Sequence, residues 1–193
     1  MDGTLIPAVI LFSAWLLMLA EFIGVHFFVI PLFRFGPVVQ RRIIDFPGSS
    51  INVAPGTTIK RETGKYRFSD SEHVYFLGRS QFFEFKWRTP FPCKFTGIVE
   101  SPGRLAITCR LPVGPLIFFL FTFLGWVFLL TFIQTPSAGR IPLLLFGACF
   151  FLAIFGASYA IERGRNRLML KEIQQILAEL NFMPGTRNDQ IAR

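Results

Sequence analysis

Two uncharged apolar runs lie almost back to back in the second half of the chain: residues 116–133 (LIFFLFTFLGWVFLLTFI) and 141–161 (IPLLLFGACFFLAIFGASYAI). Each is close to the roughly 20 residues that a helix needs to cross a hydrocarbon core of about 30 Å. The link between them, 134–140 (QTPSAGR), is too short to hold a domain. The spacing therefore predicts a helical hairpin, with membrane helices over 115–134 and 141–161, that enters and leaves on one side of a bilayer. Composition agrees: 52% of the residues are hydrophobic, 25 of the 193 are Phe, and only 17% are charged, against about a quarter in soluble domains.

A third run, 5–33, precedes them. It follows MDGT, which has an acidic residue where a secretory signal carries basic ones, and it is about twice as long as a signal core. It reads as a retained transmembrane helix, with Pro7 and Pro31 near its ends, where they disturb fewest hydrogen bonds. Orientation follows from Lys and Arg beside the spans. Arg34, Arg41 and Arg42 follow the first, and Arg163, Arg165, Arg167 and Lys171 follow the third, whereas the hairpin link has only Arg140. Three spans with the N-terminus outside and the C-terminus cytoplasmic satisfy these biases, and a bacterial inner membrane is the expected setting. The polar segment 34–112 carries 13 Lys/Arg against 6 Asp/Glu, nearly all of the chain's net charge of +8.

Within that segment, 34–64 reads as a linker able to lie along the membrane surface. From Lys65 the period becomes two, the mark of strands. Phe83, Phe85 and Trp87 alternate with Glu84, Lys86 and Arg88, and Leu105, Ile107, Cys109 and Leu111 with Thr108 and Arg110. A meander of about five antiparallel strands over 65–112 is predicted, with one aromatic face and one basic face. Arg67, Lys86, Arg88, Lys94 and Arg110 on the basic face would meet anionic headgroups or a partner. After the third span, 162–181 has helical spacing of apolar residues, with Arg163, Arg165 and Arg167 at its start. It is expected as a separate amphipathic helix that lies on the membrane, pairs with another copy or covers the β domain, followed by a tail over 182–193. The predicted fold is thus an α+β integral membrane protein with three transmembrane helices, a small antiparallel β domain between the first and second, and a C-terminal amphipathic helix.

Residues able to carry chemistry are few. Glu21, in the middle of the first apolar run, needs a partner or water. His26 is five residues on, roughly 140° around the helix, so the two do not form a relay within one helix. Glu21 is expected to bond to another helix and serve assembly. Cys93 and Cys109 should lie opposite or diagonal on one face, as two buried free thiols given a cytoplasmic domain. Cys149, Ala153, Gly156 and Ala160 form a stripe of small residues on the third span. It would pack against the second span or, in the sharper reading, another subunit. No phosphate-binding, metalloprotease or nucleophile-elbow motif is present, and the two histidines do not have the spacing of a zinc site. No cofactor, metal or nucleic acid is expected. These features point to a non-enzymatic accessory or assembly subunit. Its β domain and last helix would contact a membrane complex, a second copy or anionic lipid. A small transporter or ion-conducting subunit using Glu21 is the alternative.

Overall fold

The computed structural model describes residues 5–78, 92–132 and 137–182. Its order is α1 (Leu5–His26), α2 (Ile30–Arg34), β1 (Val38–Asp45), β2 (Thr58–Lys60), β3 (Gly64–Phe68), β4 (His73–Gly78), β5 (Lys94–Ser101), β6 (Arg104–Arg110), α3 (Val113–Phe132) and α4 (Ser137–Phe182). All six strands join one antiparallel sheet in the order β1-β6-β5-β4-β3-β2. Two helices, over Val9–His26 and Ile141–Asn181, contain windows long and apolar enough to cross a membrane, and a shorter apolar helix covers Val113–Phe128.

Three expectations change. First, the run over 5–33 is broken. The backbone amides of Phe28 and Val29 donate to the carbonyls of Val25 and Gly24, at 3.1 and 2.8 Å, which closes α1 as a Schellman motif. The residue in the left-handed conformation is Phe28, at φ 56°, where glycine is usual because a Cβ costs roughly 1 kcal/mol or more. Packing holds it there. The Phe28 ring stacks on Phe33 with centroids 5.5 Å apart, and the Arg67 guanidinium lies 6.0 Å over it. The chain then turns into α2, which begins with Ile30-Pro31, where a missing amide is harmless.

Second, the supposed linker contributes two strands. β1 pairs with β6 from Val38↔Arg110 to Asp45↔Arg104, and β2 pairs with β3. β1 is an edge strand, and its exposed Arg41 and Arg42 protect that edge from further pairing. The strand expected around Phe83–Arg88 lies outside the described residues.

Third, the last span and the amphipathic helix are one helix of 46 residues. Its second half covers the sheet: Met169, Leu170, Ile173, Ile176 and Leu177 pack on Tyr66, Phe68, Phe76, Phe95 and Ile107 in the main core. Stacking of Phe76 on Phe95 at 4.7 Å and on Tyr66 at 5.4 Å gives that core its centre. The other sheet face meets α2 and the end of α1, where Val25, Phe28 and Phe33 bury Tyr75 and Leu77. Period-two alternation thus holds, but both faces are covered.

Candidate functional site

The junction of α1, α2, β5 and α3 is built on two charges. Lys94 is the first residue of β5, and alternation turns it away from Phe95 and the main core. α1 and α2 occupy that side, so the lysine is fully buried, at 0% exposed, rather than lying on a lipid-facing surface. Glu21 neutralises it. Lys94 Nζ donates to Glu21 Oε1 at 2.5 Å and to the Leu32 carbonyl at 2.6 Å. Glu21, itself 6% exposed, uses its second oxygen to accept the backbone amide of Gly114. That amide belongs to the first turn of α3, where N–H groups lack intrahelical partners and the helix dipole favours a carboxylate. Gly114 also makes the approach possible, because a Cβ there would lie 2.7 Å from the Met18 Cα.

One carboxylate therefore neutralises a strand lysine and caps a helix. It stands five residues from the end of α1, roughly 7.5 Å along the axis, and so is not central in its helix. A small pocket beside it, about 30 Å³, has Phe22, Val25, Leu77 and three prolines among its lining residues, room for one or two waters. His26 does not join the pair; its Nε2 lies 3.4 Å from Lys65 Nζ.

The remaining basic residues divide. Arg67 covers Phe28, and Arg110 donates to the Gly36 carbonyl at 3.1 Å. Arg165 pairs with the buried Glu162 at 3.1 Å, while Arg163 and Arg167 are exposed. Lys86 and Arg88 lie outside the described residues. No open basic face therefore forms from Arg67, Lys94 and Arg110. Cys149, Ala153, Gly156 and Ala160 are all exposed, and a Cβ at Gly156 would meet nothing within 4 Å among the described residues. This stripe faces away from α3. The contact between α3 and α4 is aromatic instead, with Phe119 and Phe123 against Phe151 and Phe155 at centroid distances of 5.3–6.3 Å, because these larger rings project from the adjoining side of α4.

Cys93, immediately before β5, and Cys109 on β6 are buried, unbridged and diagonal to one another, Cys109 pairing with Phe95. The hydrogen bond from Cys109 holds the Cys93 thiol below its ordinary range, against the opposing effect of burial and with help from Asn166; the same bond, together with burial, pushes Cys109 up. Asn166 on α4 points its amide nitrogen at both sulfurs, 3.6 and 3.8 Å away, and the Glu162 carboxylate accepts the Cys93 backbone amide at 3.3 Å. A second anchor fixes α4 further along. Tyr66 donates to Glu172 at 2.7 Å, and burial, reinforced by that carboxylate, pushes its phenol up. Among the described residues no group of three or more His, Cys, Asp or Glu side chains is arranged to hold a metal ion. No known protein family, curated protein or solved structure matches the chain.

Proposed function

We propose that this chain is a non-enzymatic membrane protein, an assembly or accessory subunit that fixes a β domain rigidly against the cytoplasmic side of three membrane helices and presents the rest of those helices to partners. The observation that carries this reading is the closed state of Glu21. Both of its oxygens are occupied, one by Lys94 and the other by the Gly114 amide. A carboxylate held in that way joins elements and leaves no oxygen open to a passing ion. The outer surface supports the same reading, because Phe146 is 68% and Leu152 71% exposed on α4, surfaces that demand lipid or another helix.

The test joins cross-linking to flux. A photoreactive residue in place of Ala153, on the exposed stripe, should give discrete adducts in native membranes, either to another subunit or to a second copy, and Glu21→Gln should retain them. Reconstituted vesicles should show no ion or proton movement above that of protein-free vesicles. Flux that Glu21→Gln abolishes would reverse the reading in favour of the transporter.

A further inference from the structure

A groove of about 580 Å³ runs between α4 and the β1 side of the sheet, and the junction described above makes no use of it. Its walls change character along α4. Leu152 and Phe155 line one end; Arg163 and Arg167 line the other, joined there by Arg42 from β1. From position 152 to 167 is roughly 22 Å at 1.5 Å per residue. The apolar end belongs to the part of α4 that is long and apolar enough to span a bilayer, and the basic end to the part that covers the sheet.

Three observations give the basic end a ligand chemistry. Among the described residues, none of the three arginines is in an ion pair. The carboxylate that also lines the groove, Glu162, pairs with Arg165, which leaves the mouth cationic. Asn166, only 6% exposed, lines the groove as well, and its Oδ1 has no hydrogen-bond partner among the described residues. A buried acceptor left in that state costs about 1–3 kcal/mol unless something donates to it.

From these we infer that the groove binds one anionic phospholipid with a hydroxyl-bearing headgroup: the phosphate on Arg42, Arg163 and Arg167, a headgroup hydroxyl donating to Asn166, and an acyl chain along Leu152 and Phe155. Guanidinium forks match phosphate oxygens. The order of apolar and anionic parts along α4 is that of a lipid standing in its leaflet. A choline headgroup fails here, because it brings a fixed cation to three arginines and has no donor for Asn166. The inference rests on the membrane placement proposed above, but not on the assembly role.

The experiment uses the full chain, purified in non-ionic detergent and stripped of lipid, then offered equal amounts of phosphatidylglycerol and phosphatidylcholine, with retained lipid counted by native mass spectrometry. One phosphatidylglycerol should be retained, preferred at least about tenfold. Phosphatidylethanol, which has the same phosphodiester charge but no hydroxyl, should bind several-fold more weakly. The R163Q/R167Q double variant should lose the preference, and Arg41→Gln, next to Arg42 on β1 but paired with Glu100, should keep it. Equal retention of phosphatidylcholine or of phosphatidylethanol by the unmodified chain overturns the proposal, so the test stands even where the double variant does not fold. So does equal loss in Arg41→Gln. A chain released from membranes by alkaline washing defeats the membrane placement; a chain that stays there but is indifferent to headgroup defeats only the lipid site.

Discussion

Lys94→Met tests the junction most directly. The methionine fills much of the lysine's volume but removes the ammonium, and two acceptors lose their donor at once: Glu21 Oε1 and the Leu32 carbonyl. Glu21 would then stand as a buried charge with only the Gly114 amide for company. Removing one partner of a buried ion pair costs about 3–5 kcal/mol, whereas replacing both by apolar groups of similar volume is often nearly neutral. Glu21→Gln should cost less, about 2–3 kcal/mol, because the amide oxygen still accepts one of the two donors that now share the carboxylate. The E21Q/K94M double variant should be milder than the sum of the two, with a coupling of about 2–3 kcal/mol. Unfolding in mixed micelles, followed by near-ultraviolet circular dichroism of the aromatic core, gives all three values. If Lys94→Met costs less than about 1 kcal/mol, or the two changes simply add, the pair is not what holds the domain to the helices.

Two further outcomes follow from local geometry. Gly114→Ala would drive a Cβ to 2.7 Å from the Met18 Cα and 3.0 Å from Glu21 Oε2, so it should destabilise by about 1–3 kcal/mol despite alanine's better helix propensity; Gly125→Ala, whose Cβ would meet, among the described residues, only Leu11 at 4.0 Å, should be neutral or stabilising, and melting of the two variants side by side checks this. Asp70, in the turn between β3 and β4, is held below the ordinary carboxylate range: slight burial opposes the shift, but the Glu72 and His73 amides and the His73 ring, at 2.7–2.9 Å, outweigh it. A depressed value means that the ionised group stabilises the fold above its unfolded pKa and loses that effect as pH falls through its folded value. Asp70→Asn should therefore destabilise the fold at neutral pH by under about 1 kcal/mol, because the site is half-exposed, and the difference from the unmodified chain, read from paired melts, should fade as pH falls through the depressed value of Asp70.

What could be read from sequence was what repeats locally. The strands over 64–78 and 94–110 showed in the alternation of Tyr66, Phe68, Phe95, Ile107 and Cys109, and the helical face of 162–181 in Met169, Ile173 and Ile176. The break after His26 was hidden because its left-handed residue is Phe28, and the usual signal there is a glycine. β1 was missed because its pattern, VVQRRIID, alternates poorly and its partner β6 lies about sixty to seventy positions away. The main site was divided in the same way. Glu21 announced itself as a charge in an apolar run, and Lys94 looked like one more member of a basic face turned toward lipid or a partner. Nothing in either neighbourhood names the other, since 73 positions separate them.

The continuity of α4 has a mechanical side. Forty-six helical residues make a rod of roughly 69 Å, and the half that packs on the sheet has no loop between it and the apolar half. In a chain placed as proposed here, the domain cannot swing on a tether; it takes the angle that the bilayer gives the rod. Tilting a helix is how a bilayer accommodates a change in thickness, and a tilt of about 10° moves the far end of a lever about 30 Å long by about 5 Å. The sheet would thus act as a pointer whose sideways lean over the membrane follows the thickness of the lipid around it.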